Sequence, residues 1–167
     1  MSAAFLPTLS GNGFFLRPWR IEDAEWYVHS RDEEVFKWTT EKRDLTVEET
    51  RAAIERVNIT PNAVCLAIAE TRSERLLGNI ALTIAEDGQS AEIMYWLAPV
   101  GRGRGIATNA VSLLCDWAFE ELNLERITLK THAENIPSQA VAHRAGFIRK
   151  ENQEEIVWFE LDTPSKS

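Results

Sequence analysis

The sequence predicts an α+β fold, with helices packed on one mostly antiparallel sheet. Three observations carry that reading. The chain has 167 residues, 44% of them apolar and 26% charged, which suits one globular domain. Three strand-like runs (63–70, 76–85 and 90–98) follow one another across short polar turns, the pattern of an antiparallel meander. After them, residues 106–122 carry apolar side chains at a helical period.

Each element has a local signature. Residues 13–18 read as a first strand, which Pro18 closes. Residues 21–29 read as a helix with Glu22 and Asp23 in its first turn, where the helix dipole favours acids. Thr46-Val-Glu-Glu is a capping box. It opens a helix whose Val47, Ile54 and Val57 share a face, with Pro61 just past its end. The meander follows, its last turn marked by Glu86-Asp-Gly-Gln. In the long helix Ile106, Ala110, Leu113, Leu114, Trp117 and Ala118 form a wide apolar stripe. Residues 126–131 read as a strand and 137–145 as a short helix, with Asn135 a candidate cap and Gly146 at the left-handed stop. Residues 147–151 and 156–162 close the chain as a hairpin. The expectation is about seven strands and four helices in a single domain, 1–167, with loose ends at about 1–12 and 163–167.

Charge and cysteine usage narrow the function classes. Eighteen basic against 26 acidic side chains leave a net charge of −8. Such a surface repels nucleic acid and anionic membranes. No apolar run approaches the length of a membrane span. The first residues carry no basic cluster before an apolar run, so no secretory signal is expected, and the expected compartment is the cytoplasm. Cys65 and Cys115 both sit in apolar runs and read as buried, reduced thiols. His29, His132 and His143 are too scattered for zinc spacing, and no metal is expected.

The chemistry-bearing stretch is Tyr95-Trp-Leu-Ala-Pro-Val-Gly-Arg-Gly-Arg-Gly-Ile-Ala-Thr108. A strand ends, a glycine- and arginine-rich turn follows, and a helix begins. Glycines let a ligand approach the backbone closely, and the free N–H groups of a helix start face it, so the stretch is an anion cradle. A Walker loop needs a Gly-Lys pair, and there is none. The dinucleotide pattern G-x-G-x-x-G/A fails from Gly101, where Ile106 stands last, and from Gly103, where Thr108 does. The pattern that fits is [R/Q]-x-x-G-x-[G/A], as Arg102-Gly-Arg-Gly-Ile-Ala107.

That loop resembles the pyrophosphate loop of the GNAT superfamily, the acyl-CoA-dependent N-acyltransferases. Asn135-Ile-Pro-Ser…Gly146-Phe resembles the family's N-x-x-S…GF segment. Leu16-Arg-Pro-Trp-Arg-Ile-Glu-Asp-Ala, Leu77-Gly-Asn-Ile and Ala91-Glu-Ile-Met-Tyr-Trp-Leu are similar to the RimJ/RimL branch, the ribosomal-protein N-terminal acetyltransferase type. The likeness runs from about Gly13 to Glu160. It implies a GNAT fold whose fourth and fifth strands splay to hold acyl-CoA. It also implies acetyl-CoA as cosubstrate and direct attack on it by a primary amine in a ternary complex.

Site residues follow from the resemblance. Tyr95, Trp96 and Leu97 match the strand that pairs with pantetheine through its backbone. Arg102, Gly103, Arg104, Gly105, Ile106, Ala107 and Thr108 match the pyrophosphate loop, and the two arginines are expected to supply local positive charge. Asn135 matches the asparagine that bonds the pantetheine arm, and reads equally as a helix cap. Ser138 matches a serine that protonates the leaving thiolate, and reads equally as a polar first-turn residue. The family's usual tyrosine acid falls on Ala142 and a related glutamate base on Lys130, so the RimI-type pair is excluded. Glu92, which alternates with Met94 and Trp96 to one face, is the candidate base. His132 stands second, and Glu154 and Glu155 are weaker. Trp19, Trp26 and Trp38 read either as core or as an acceptor wall. The acceptor is a peptide N-terminus or a small amine (antibiotic, polyamine or amino acid). A weakly catalytic CoA-binding module is the remaining reading. Monomer and homodimer both stay open.

Overall fold

The computed structural model describes residues 6–165. One sheet runs through it in the order β1-β2-β3-β4-β5-β6-β8-β7. Its strands are β1 (Leu9–Ser10), β2 (Phe14–Pro18), β3 (Ala63–Glu70), β4 (Leu76–Ile84), β5 (Ser90–Leu97), β6 (Arg126–His132), β7 (Ile148–Arg149) and β8 (Ile156–Asp162). All neighbours are antiparallel except β5 and β6. The helices are α1 (Ala24–Ser30), α2 (Glu33–Trp38), α3 (Val47–Val57), α4 (Ile106–Glu121) and α5 (Ile136–Arg144). The mixed, mostly antiparallel α+β fold matches the expectation, with eight strands and five helices in place of about seven and four.

Three differences have local causes. Leu9–Ser10 pairs with β2, so part of the expected loose N-terminal stretch is tied to the sheet. At the other end the Thr163 N–H bonds the Glu125 carbonyl at 2.9 Å. Residues 1–5 and 166–167 lie outside the described residues. The helix expected over 21–29 is split into a 3-10 turn, Ile21–Asp23, and α1. Buried Asp23 accepts a bidentate pair from Arg17 at 2.8 and 3.1 Å and the Arg20 N–H at 2.8 Å, which fixes the turn onto β2. Helix α2 was not expected, because six residues are too few to show a period. Its signal is a cap: Asp32 accepts the Val35 N–H at 3.2 Å, with Glu33 and Glu34 in the first turn. In α3 the Thr46 hydroxyl accepts the Glu49 N–H at 3.1 Å and donates to the Glu49 carboxylate at 3.0 Å, so the capping box closes through the two side chains.

The main core lies on one face of the sheet. Ile106, Ala110, Leu114 and Ala118 of α4 share it with Leu66, Ile80, Leu82, Ile93, Ile127 and Leu129 of the strands. On the other face Trp19, Ala24 and Ile54 pack against Ala67 and Ala69. Helices therefore cover both faces around β5, the strand that borders the site.

Candidate active site

Strands β5 and β6 pair only from Ser90↔Arg126 to Ile93↔Leu129. Beyond that point β5 stays on β4 as far as Leu97, and β6 stays on β8 as far as His132. The two strands part and leave a gap. Antiparallel bonding alternates along a strand, and the Ala98 N–H to Leu77 carbonyl bond, 2.8 Å, sets the phase. The backbone of Met94 and Trp96 therefore faces β4, and that of Tyr95 and Leu97 faces the gap. The Leu97 carbonyl is taken by Arg102 at 2.8 Å, which leaves Tyr95 N–H and C=O and the Leu97 N–H.

The gap opens into a cleft of about 1130 Å³ whose lining includes Gly103, Gly105, Ile106, Ala107 and Thr108. The six N–H groups from Gly103 to Thr108 donate to no other group among the described residues. Gly103 and Gly105 sit at φ of 72° and 73°, a region other residues enter at a cost, and Gly105 is the residue before α4. The chain thus presents a run of donors at the positive end of a 16-residue helix.

The arginines of the loop do not supply free charge. Arg102 makes a bidentate pair with Asp32 at 2.7 and 2.7 Å, and its guanidinium holds the Asp32 carboxyl below its usual range. Arg104 pairs with Glu70 at 2.7 Å. The cleft lining also holds Lys37, Lys130 and Arg144 against Glu34 and Glu92, and with Lys130 paired to Glu92 the unpaired cations among the described residues of the lining are Lys37 and Arg144. In a chain of net charge −8, this is a local excess of positive charge.

Helix α5 closes one side of the cleft. The Asn135 Oδ1 caps it by accepting the Ser138 N–H at 3.3 Å, while the Asn135 Nδ2 donates to no group among the described residues. The Tyr95 hydroxyl donates to the Ser138 Oγ at 3.3 Å. Burial pushes the Tyr95 phenol above its ordinary value, and its bond to Ser138 offsets part of that.

The opposite side is built from side chains. Glu92 is exposed and pairs with Lys130 at 3.4 Å, and the Lys130 ammonium lies 4.1 Å from the centre of the Trp158 ring. The His132 Nδ1 accepts the Glu134 N–H at 3.1 Å, and its Nε2 faces Glu155 at 3.3 Å. Both ring nitrogens are engaged, so His132 has no free lone pair for a substrate. The Trp96 indole donates to Glu41 at 2.9 Å, and Glu41 also takes bonds from Tyr27 and, at 3.3 Å, from Arg31. Trp26 stacks on Trp96 with ring centres 6.0 Å apart. Trp38 reaches across to His132 at 5.6 Å. Of the three N-terminal tryptophans only Trp38 lines the cleft. Trp19 is core and bonds Asn79 at 2.9 Å. Neither thiol is a nucleophile here: burial pushes Cys65 up to about 12 and raises Cys115 as well.

The family described as "Acetyltransferase (GNAT) domain" matches residues 14–148. The chain belongs to this family. The GNAT chain is 33% identical over 153 residues to the Bacillus subtilis protein named "Probable N-acetyltransferase YjcK", covering 85% of this chain and 84% of that one. It is 33% identical over 78 residues to the ribosomal-protein-serine acetyltransferase of Escherichia coli, covering 46% and 44%. This relative accords with the RimJ/RimL branch. A spermidine N-acetyltransferase from Vibrio cholerae, solved with CoA and spermine, has the same fold: TM-score 0.81, 18% identity, and coverage of 92% and 97%.

Within this GNAT acetyltransferase, Tyr95, Trp96, Leu97, Arg102, Gly103, Gly105, Ile106, Ala107, Thr108, Asn135, Ser138 and Glu92 all border one cleft, whereas Arg104 does not. Trp96 borders it through its indole side, with its backbone turned to β4. Sequence reasoning missed Glu41, the hub under Trp96, and the cations Lys37 and Arg144. It also missed the Tyr95 hydroxyl. No local pattern marks Glu41 or the Tyr95 hydroxyl, whose partners Trp96 and Ser138 lie 55 and 43 positions away, and Lys37 and Arg144 reach the cleft from two separate helices.

Proposed function

We propose that this chain transfers the acetyl group of acetyl-CoA to the N-terminal α-amine of a protein or peptide, by direct attack with both substrates bound. When bound, acetyl-CoA supplies a thioester carbon for the amine to attack and a sulfur that leaves. The observation that carries the reading is the parting of β5 from β6 directly beside the run of unspent N–H groups. The Gly103–Thr108 donors suit a pyrophosphate, with Arg144 as the cation facing the same cleft. The Tyr95 N–H and C=O and the Leu97 N–H suit an extended amide-bearing arm, and a donor there polarises a carbonyl. The Asn135 Nδ2 suits a further carbonyl of that arm.

Ser138 is proposed as the donor to the departing sulfur, and Glu92 as the group that draws the ammonium proton through water. An α-amine has an ordinary pKa near ~8, so much of it arrives neutral and a modest base suffices. With the Arg102–Asp32 and Lys130–Glu92 pairs set aside, Lys37 and Arg144 stand against Glu34 around the cleft, a small positive balance that favours a singly charged peptide α-amine over a polycation. A relative named for a ribosomal-protein substrate supports the same acceptor class. The proposed compartment is the cytoplasm, which two free cysteines support.

Thiol release from acetyl-CoA, measured with short peptides and with spermidine, tests the reading. Peptides with a free α-amine are expected to give kcat/KM at least about tenfold above spermidine. Faster turnover of spermidine, or loss of reaction only when a side-chain amine is removed, contradicts it.

A further inference from the structure

We propose that Tyr95 is a positioning residue for acetyl transfer: its hydroxyl holds the Ser138 oxygen so that the serine proton points into the gap between β5 and β6. The inference rests on the function proposed above and concerns a side chain which that reading uses only through its backbone.

The argument starts from what Ser138 does not do. Hydroxyls on helices commonly return their proton to a carbonyl four residues back. Thr50 does so within α3, at 2.8 Å, and Thr39 and Thr60, just past the ends of α2 and α3, do so at 2.6 and 2.7 Å. Ser138 stands in the first turn of α5, and the carbonyl four residues back belongs to Glu134, outside the helix. Its N–H is spent on Asn135 at 3.3 Å. Its oxygen accepts from Tyr95 at 3.3 Å. No group among the described residues takes its proton. Occupying one lone pair narrows the rotation of the hydroxyl, and with the N–H spent the O–H is the residue's unspent donor.

Tyr95 is placed to do this by the strand itself. The last β5–β6 pair is Ile93↔Leu129, and Tyr95 is two residues on, on the same face as core residue Ile93. Its backbone faces the gap while its ring runs beneath α5. Burial keeps the phenol protonated through the neutral range, so it retains the proton it donates to Ser138.

The transfer balances without any other reagent. The amine lone pair forms the N–C bond, and the C–S bond breaks with its electron pair on sulfur. Ser138 gives its proton to that sulfur and receives the proton released by the attacking nitrogen. Tyr95 keeps its own proton throughout.

Three variants test the proposal: Tyr95→Phe, Ser138→Ala and the two combined, each assayed for peptide acetylation, acetyl-CoA binding and melting temperature. Tyr95→Phe is expected to lower kcat about tenfold, with the acetyl-CoA dissociation constant within about twofold of wild type. In the Ser138→Ala background the same change is expected to add nothing, because its target is gone. An unchanged kcat in Tyr95→Phe overturns the proposal. So does a loss that multiplies with Ser138→Ala, which marks a role independent of the serine. Failure of the underlying reading is distinguishable, since the wild type itself then acetylates no peptide.

Discussion

The two sides of the cleft are made of different materials. The phosphate side is backbone: six consecutive N–H groups held open by two glycines at positive φ and the start of α4. The strand side rests on side chains: Trp96 borders the cleft, and behind it Tyr27, Arg31 and the Trp96 indole converge on Glu41 while Trp26 stacks on Trp96. Backbone donors need no partner to be in place, only a permitted φ, so the phosphate side is a local device. The support behind Trp96 needs a carboxylate delivered from the loop after α2 to a strand 55 residues later, so it exists only once the sheet and α1–α2 have come together. The first side is expected to fail through conformation and the second through burial.

Breaking the support behind Trp96 has the largest expected effect. Glu41→Ala leaves Arg31, whose side chain is 0% exposed, without its carboxylate. Stranding a buried charge costs about 3 kcal/mol, and at roughly 2–4 °C per kcal/mol for a chain of this size the melting temperature falls about 6–12 °C. Calorimetry checks this, and a fall below about 2 °C would show that the hub is not structural.

On the phosphate side, Gly105→Ala places a Cβ at φ 73° and costs about 1–2 kcal/mol. Wild type is expected to gain about 5–10 °C in melting temperature at saturating acetyl-CoA, and the variant less than half of that. An undiminished gain would mean that the loop backbone does not bind the phosphates.

Arg102 separates the two materials. Its pair with Asp32 is about one-third exposed on each side, so solvent limits it to about 1 kcal/mol. Arg102→Ala is expected to lower the melting temperature by about 2–4 °C at pH 7 while changing acetyl-CoA affinity less than about threefold. A tenfold loss of affinity would return Arg102 to the phosphate site. The pH dependence has a definite sign. Arg102 depresses Asp32 below its ordinary 3.8, so the pair contributes fully above that pH and is lost as pH falls through the depressed value. Wild type and variant therefore converge in stability in acid, as melts from pH 7 downward would record.

The smallest effect is expected from Glu92→Gln. If Glu92 draws the ammonium proton, turnover falls about three- to tenfold near pH 7. It recovers toward wild type by pH ~9, where an α-amine is mostly neutral. A deficit that persists at high pH would assign Glu92 to binding, and no deficit at any pH would leave the step to water.

Much of this molecule was legible locally. The meander, the long helix and the strand–glycine–helix junction each announce themselves through a period or a turn residue. Local pattern marked Asn135 as a helix cap, and the resemblance to the family marked Asn135 and Ser138 as site candidates. What escaped was short or distant. Six-residue α2 and two-residue β1 carry too few positions for a period. The loop arginines looked like free charge because their carboxylates, Asp32 and Glu70, lie 70 and 34 residues away. The other cations that line the cleft beside Arg102, namely Lys37, Lys130 and Arg144, come from three separate elements. The class of fold and the anion cradle could be read locally, because φ preferences and hydrophobic periods act between near neighbours, and the family came from the resemblance of motifs spread from about Gly13 to Glu160. Only the tertiary structure decided which charges stay unspent, that Glu41 holds Trp96, and that Tyr95 meets Ser138. Those depend on side chains meeting across the sheet, and a contact between distant residues leaves no mark on either one's local sequence.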